Sequence, residues 1–159
     1  MVNSLLLADL NKDNKLDAIV SCNEGVVAVL AGNGDGTFGA ATTYSVSSAA
    51  NVVAADLNGD GYPDLVVAMA SGKTTSTFAI LLNMAAAGPP AFAQPKVYGG
   101  AVGSRQVMIG DLNQDGKPDI MAGGTPGWST EARPLSFMTM VTGQCRRQCF
   151  CPGCGPTSR

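Results

Sequence analysis

Histidine is absent from this sequence, and cysteine, aromatic residues and charged residues are scarce. Without histidine the chain lacks the side chain that most often serves as a general base, and no serine or cysteine has a visible base partner. We therefore expect no enzymatic activity from these residues. Cys22 is the only cysteine before residue 125, so the body of the protein needs no disulfide framework.

Runs of basic residues before residue 146 and long apolar runs are also missing. The net charge of −2 and the pI near 4.8 provide no positive surface for nucleic acid. The apolar runs are far shorter than the ~20 residues of a membrane-spanning helix. Residues 1–8 are too short and uncharged for a secretory signal. We expect no nucleic-acid partner and no membrane span, and we interpret Met1 as an internal start with any export signal lost upstream.

Short apolar runs separated by glycine-rich turns make up the rest of the composition. Hydrophobic residues account for 45% of the chain, charged residues for 14%, and 20 residues are glycine. This composition is typical of short strands and turns, not of charged amphipathic helices. The sequence therefore predicts an all-β protein.

One acidic loop occurs three times, and it is the main feature of the chain. Each copy places oxygen-bearing side chains at its first, third, fifth and ninth positions. The copies hold nine of the twelve acidic residues, so the negative charge is concentrated in them. We call them loop 1 (residues 9–17), loop 2 (residues 56–64) and loop 3 (residues 111–119).

The loops mark a repeat of about fifty residues. They begin 47 and 55 residues apart, within or near the range of propeller and solenoid repeats. In the first unit, apolar or β-type runs follow the loop at residues 18–20, 26–30, 42–46 and 52–55. Four short runs with turns between them predict a four-stranded antiparallel blade, with units opening at about residues 9, 56 and 111.

Aromatic residues recur in the same register. Phe38 and Tyr44 correspond to Phe92 and Tyr98, and each pair is six residues apart. Residues that recur once per blade are typical of packing between blades. We expect these four side chains to belong to the core and not to a ligand-binding surface.

With the segments at residues 32–41 and 91–95, the loops resemble FG-GAP or VCBS repeats. The resemblance covers roughly residues 4–124. It implies calcium-stabilised blades of the β-propeller found in integrin α subunits and many secreted bacterial proteins. Only two complete units and parts of others are present, so we expect a partial propeller with an incomplete ring and the remaining blades missing.

The resemblance also implies a set of calcium ligands. Calcium takes six to eight oxygen ligands, which alternating side chains and a backbone carbonyl of a tight loop can supply. The implied residues are Asp9, Asn11, Asp13, Asp17, Asp56, Asn58, Asp60, Tyr62, Asp64, Asp111, Asn113, Asp115, Lys117 and Asp119. Tyr62 contributes its backbone carbonyl, and Lys117 is its counterpart in loop 3.

The sixth loop position predicts a backbone with positive φ. Gly61 and Gly116 occupy it in loops 2 and 3, whereas loop 1 has Asn14, which tolerates that geometry better than most residues. We expect a weaker first site. The loops are not EF-hands, because an apolar residue stands at the twelfth position. Metal-free turns rich in Asp and Asn are the alternative.

The composition changes after residue 124. Residues 125–159 contain four of the five arginines and four of the five cysteines, and the repeat stops there. We expect a disordered tail or one produced by a frameshift, because a shifted frame over residues 137–143 permits a glycine- and aspartate-rich turn like residues 33–36. A disulfide cluster is the alternative; the spacing of Cys145, Cys149, Cys151 and Cys154 fits no common zinc site.

By the resemblance, the function is a calcium-binding module for extracellular adhesion or for binding a protein or glycan ligand, located outside the cell or on its surface. The alternative is a non-catalytic fragment of a secreted enzyme, such as a polysaccharide lyase or an oxidoreductase, that carries the same repeats.

Overall fold

The computed structural model describes residues 1–69, 77–84, 88–99, 104–124, 135–141 and 144–150. Within these residues the protein consists of twelve β-strands and contains no helix. No helix in this part of the chain could therefore cross a membrane. The fold is all-β, as the sequence predicts.

The strands form three sheets of four strands each, and every sheet is an antiparallel meander in chain order. Sheet 1 contains β1 (Val2–Ala8), β2 (Asp17–Cys22), β3 (Val26–Gly32) and β4 (Phe38–Ser45). Sheet 2 contains β5 (Ala49–Ala55), β6 (Asp64–Met69), β7 (Thr77–Leu81) and β8 (Lys96–Gly99). Sheet 3 contains β9 (Ser104–Gly110), β10 (Asp119–Gly124), β11 (Leu135–Val141) and β12 (Gln144–Phe150).

The sheets are stacked side by side as the blades of a partial β-propeller. One apolar cluster lies between sheets 1 and 2, around Ile19, Val29 and Leu65. A second lies between sheets 2 and 3, around Val66, Phe78 and Ile120. Because sheet 2 is covered on both faces, every residue of β6 is buried, which explains its continuous apolar sequence.

The boundaries of the blades differ from the predicted units by one strand. Each predicted unit begins at its acidic loop, so the run at residues 52–55 is the last run of the first predicted unit. In the structure this run lies in β5, the first strand of sheet 2. The chain crosses between sheets after β4, and the acidic loop is instead the hairpin connection between the first two strands of a sheet.

Two strands lie in the segment for which the sequence suggested a disordered tail. β11 pairs with β10 through Ile120↔Met140, and β12 pairs with β11. The Phe, Thr and Val residues of β11 favour strands, although the repeat motif is absent. The frameshift remains a prediction. The disulfide cluster, the alternative for the tail cysteines, concerns side chains that lie outside those that the structure describes.

The aromatic prediction is confirmed for Tyr44 and Phe92, which are buried between sheets 1 and 2. Tyr98 is half-buried against the second cluster. The prediction is wrong for Phe38, which is 43% exposed. Phe38 is the counterpart of Phe92 one sheet earlier, so it lies on the face of sheet 1 that no other described sheet covers.

Candidate metal centre

The three acidic loops occupy the same place in the three sheets. Each joins the first strand to the second, at β1–β2, β5–β6 and β9–β10. Contacts between β1 and β5 and between β5 and β9 place these first strands side by side. The Lys12 ammonium of loop 1 lies 4.7 Å from the centre of the Tyr62 ring in loop 2. Loops 1 and 2 are therefore direct neighbours.

In loop 1 the side chains at positions one, three and five fold inward onto the loop backbone. Asp9 Oδ1 and Asn11 Oδ1 both accept a hydrogen bond from the N–H of Asp13, each at 3.2 Å. Asp9 Oδ2 accepts from the N–H of Asn14 at 2.9 Å, and Asp13 Oδ1 accepts from the N–H of Lys15 at 2.9 Å. Three oxygen-bearing side chains are thus gathered on one short stretch of backbone.

Loops 2 and 3 repeat this network. The first carboxylate accepts from the sixth N–H in both, at 2.7 Å in loop 2 and 2.8 Å in loop 3. The third side chain accepts from the fifth N–H at 2.9 and 3.1 Å, and the fifth accepts from the seventh N–H at 2.8 and 2.9 Å. The same sequence spacing therefore produces the same inward convergence three times.

The ninth residue of each loop has a different role. Asp17, Asp64 and Asp119 are at most 1% exposed. One oxygen of each accepts from the N–H of the second loop residue at 2.9 Å. The other oxygen of Asp17 accepts from Gly32 N at 2.9 Å, and that of Asp64 accepts from Asn83 N at 2.7 Å. The ninth carboxylate thus fastens the loop to the end of the third strand.

Asp119 shows the same arrangement with one difference. Its Oδ2 is bonded to Leu112 N, whereas its buried Oδ1 has no partner among the residues that the structure describes. The sequence predicted the ninth residues only as ligands, and their structural role was not predicted. The available signal was their position directly before an apolar run, since a carboxylate there enters the core and needs backbone donors.

The carboxylates of one loop have different acidities. Burial raises the pKa of Asp64, against the opposing effect of its bonds from Asn83 and Leu57. The backbone N–H of Tyr62 and then the Asn58 amide lower the pKa of the exposed Asp60. Asn113 and then the N–H of Lys117 lower that of Asp115. The fifth carboxylates of loops 2 and 3 therefore stay ionised, as a cation ligand requires.

The donor chemistry fits calcium, although no complete acidic cage is formed. Among the described residues, no group of three or more Asp, Glu, His or Cys side chains could hold a metal ion. With the ninth carboxylate directed at backbone N–H groups, each loop brings together two carboxylates and one amide oxygen. These are hard oxygen donors, which calcium prefers, and a backbone carbonyl can add to them.

The backbone of the loops is left-handed at two positions. The predicted sixth position has φ values of 64°, 86° and 81° at Asn14, Gly61 and Gly116, so that prediction is confirmed. The fourth position is also left-handed, at Lys12 (62°), Gly59 (79°) and Gln114 (63°). This second left-handed position was not predicted, because lysine and glutamine do not indicate positive φ.

Comparison with known proteins agrees with the loops and their spacing. A family model described as FG-GAP-like repeat matches residues 8–67. This part of the chain is an FG-GAP-like repeat. The matched residues run from the end of β1 into β6, so the FG-GAP-like repeat includes loops 1 and 2 and one full interval between them. No curated protein matches the chain.

Proposed function

We propose that this FG-GAP-like repeat protein is a non-catalytic β-propeller module that binds Ca²⁺ at its acidic loops. The observation that carries the proposal is the shared network of the three loops. Side-chain oxygens at positions one, three and five converge on the same backbone segment in each of them. Metal-free turns would not need two carboxylates and an amide in this register three times.

The asparagine at the third position is oriented for this role. The amide nitrogens of Asn11, Asn58 and Asn113 each donate to the fifth carboxylate of their own loop. That of Asn11 also donates to Gly88 O at 2.9 Å. Each Oδ1 therefore faces the loop interior. In Asn11 the bond to Gly88 adds a contact from sheet 2, which links the first site to the neighbouring sheet.

Calcium would supply two positive charges at each loop. The first, third and fifth side chains, the carbonyl at position seven (Tyr62 and Lys117 in loops 2 and 3) and the ninth carboxylate form the proposed ligand set. The ninth carboxylates are included in the ligand set although they accept backbone hydrogen bonds. A carboxylate offers about four acceptor sites, and these bonds use two or fewer of them. Bound calcium would remove the repulsion between carboxylates of one loop.

The proposed biological role is binding of a protein or glycan ligand outside the cell or on its surface, in adhesion or recognition. Two features support it. The FG-GAP-like repeat provides a propeller-type scaffold, and residues 12–16 and 58–61 are exposed at the tips of their sheets. Exposed loops on a rigid scaffold are where propellers carry function. Further blades outside this chain and the absence of catalysis are parts of the same proposal.

Thermal melting in the presence of calcium tests the metal assignment. Binding to the native state stabilises it by RT ln(1 + [L]/Kd), about 2.7 kcal/mol at a hundredfold excess over Kd. We expect a rising midpoint up to about 10 mM Ca²⁺, since sites in extracellular modules often have Kd values of ~10⁻⁴ to 10⁻³ M. A variant with Asp9→Asn, Asp56→Asn and Asp111→Asn should lose the response. An unchanged midpoint in the wild type would refute calcium binding.

A further inference from the structure

A cavity of about 270 Å³ opens on sheet 2 beside loop 2. Its walls include Leu57, Asn58, Ile80, Leu82, Lys96 and Tyr98. Leu57 and Asn58 are the second and third residues of loop 2. The other four lie on or directly after β7 and β8. We call this cavity, defined by these six residues, the Tyr98 socket.

The counterpart of the Tyr98 socket in sheet 1 is filled. Strand register equates Tyr98 with Tyr44, because Tyr98 pairs with Phe78 as Tyr44 pairs with Val27. It also equates Ile80 with Val29, since β7 and β3 pair in the same register with β6 and β2. Leu57 and Asn58 correspond to Leu10 and Asn11, at the same positions of their loops.

The connection between β7 and β8 fills the sheet 1 site. Asn83 donates through Nδ2 to Leu10 O at 2.9 Å, and Gly88 O accepts from Asn11 at 2.9 Å. At the end of this connection the Phe92 ring meets the Tyr44 ring edge to face, with centroids 5.8 Å apart. The Phe92 N–H donates to the Tyr44 hydroxyl at 2.9 Å. A phenylalanine thus enters the site with both its ring and its backbone engaged.

In the described part of the chain, sheet 3 lacks a long connection between its third and fourth strands that could cover the corresponding site on sheet 2. Residues 82–95 join β7 to β8, whereas β11 ends at Val141 and β12 begins at Gln144. The exposure of the second loop residue follows this difference. Leu10 is fully buried, Leu57 is partly buried and Leu112 is 48% exposed. Among the residues that the structure describes, sheet 3 therefore provides no counterpart of Phe92 for the Tyr98 socket.

We propose that the Tyr98 socket binds a phenylalanine side chain presented on an extended peptide segment, with small residues on either side. Leu57, Ile80 and Leu82 provide apolar walls, and Tyr98 provides a ring edge. The Tyr98 hydroxyl accepts the backbone N–H of the incoming phenylalanine, as Tyr44 does for Phe92. The volume is sufficient, because an apolar cavity of roughly 150 Å³ holds a benzene ring.

A polar rim sets the orientation of the peptide. The Lys96 ammonium lies 5.4 Å from the centre of the Tyr98 ring, and Asn58 lies on the loop side of the cavity. By analogy with Gly88 at Asn11, the Asn58 side of the socket takes a backbone carbonyl of the segment that precedes the phenylalanine. The ligand is therefore a peptide and not a free aromatic ring, because both polar contacts are with backbone groups.

The test uses a synthetic peptide with acetylated and amidated ends that copies residues 89–95 (PPAFAQP). Its control is the same peptide with alanine at the phenylalanine position. Binding to the full chain is measured by calorimetry or NMR titration in EDTA, so that the result does not depend on the calcium proposal. We expect saturable binding of the phenylalanine peptide and at least about tenfold weaker binding of the alanine peptide.

Variants of the protein locate the site. Leu82→Trp adds bulk at a residue that is 42% exposed, so it should block the cavity while the sheet folds normally, as checked by circular dichroism. Leu112→Trp adds the same bulk on loop 3 and should leave binding unchanged. Tyr98→Phe keeps the ring and should weaken binding several-fold. Equal binding of both peptides, no saturable binding, or full binding to a folded Leu82→Trp variant would overturn the proposal.

Discussion

The buried Asp64 carboxylate accepts a hydrogen bond from Asn83 N at 2.7 Å. This contact joins the end of loop 2 to the second residue after the third strand of the same sheet. Asp64 also accepts from Leu57 N at 2.9 Å, so one side chain holds both ends of the loop and a neighbouring connection. These hydrogen bonds connect the loop to the sheet independently of a metal ion.

Asp64→Asn should destabilise the protein by about 1–3 kcal/mol, because one backbone N–H then faces an amide NH₂ group in a buried site. The matched control is Asp60→Asn, in the same loop at an exposed position, which should have little effect when calcium is chelated. Urea denaturation in EDTA measures both. Equal destabilisation by the two substitutions would show that the ninth carboxylate has no special structural role.

Phe92→Ala should cost about 3–5 kcal/mol, the usual range for removing a buried phenylalanine. Phe38→Ala removes the same side chain at the equivalent register position, where it is 43% exposed, and should cost much less. The midpoints of urea denaturation give the comparison. Similar losses from both substitutions would mean that Phe38 is covered in solution, for instance by a further blade or a second copy of the chain.

The sequence predicted the repeat because its signals are local. The loop motif and the apolar runs are each readable within ten residues, and the loops recur at intervals of 47 and 55 residues. Together they predict antiparallel four-stranded sheets for the first two units, whereas β11 and β12 of sheet 3 lie in the segment for which the sequence suggested a disordered tail. The position of Asp64 directly before an apolar run indicates its burial, but its hydrogen-bond partner was not readable, because that partner is the N–H of Asn83, nineteen residues away. The exposure of Phe38 was not readable either, since it depends on which neighbouring sheet exists and not on Phe38 itself.

Tyr44→Phe should cost about 1 kcal/mol, because it removes the hydroxyl that accepts the N–H of Phe92 and leaves that buried donor without its partner. Tyr98→Phe is the control on sheet 2, because Tyr98 is the register equivalent of Tyr44 and lines the cavity. It should be nearly neutral for stability. Thermal unfolding compares them. The expected order is contradicted if Tyr98→Phe costs as much as Tyr44→Phe.

The turn between β3 and β4 makes a pH-dependent contribution that does not involve the candidate ligands. Thr37 donates to Asp35 Oδ1 through its hydroxyl at 2.6 Å and its N–H at 2.9 Å. These bonds lower the pKa of Asp35 from 3.8. A lowered folded-state pKa stabilises the protein above the unfolded-state value, and this contribution is lost as the pH falls through the folded-state pKa.

Thr37→Val should therefore raise the Asp35 pKa towards 3.8, since it removes the hydroxyl and keeps the backbone N–H. NMR titration of the Asp35 carboxyl measures the change directly. Glu24 is the internal control, because its lowered pKa comes mainly from the N-terminal ammonium and should not respond. If the Asp35 pKa is the same in both proteins, the threonine hydroxyl is not bonded to it in solution.

Lys12 gives the last prediction, because its ammonium belongs to loop 1 but lies beside loop 2. The Lys12 Nζ lies 4.7 Å from the centre of the Tyr62 ring. It also lies next to Gly61, since a Cβ atom added at Gly61 would be 2.6 Å from Nζ. Its charge also helps to hold the pKa of Asp60 low. A positive charge this close opposes a divalent cation in loop 2, at a cost of about 1 kcal/mol in water-like surroundings.

Lys12→Ala should consequently tighten calcium binding at loop 2, by about fivefold at low ionic strength and less at high salt. Calorimetry isolates this site when Asp9→Asn and Asp111→Asn disable the other two loops. Lys15→Ala is the control, because the Lys15 chain packs against Gly34 on the other side of loop 1. Removal of either lysine changes the net charge equally, so an equal gain in calcium affinity from both substitutions would indicate a general charge effect. Only a larger gain from Lys12→Ala supports a direct influence of loop 1 on loop 2.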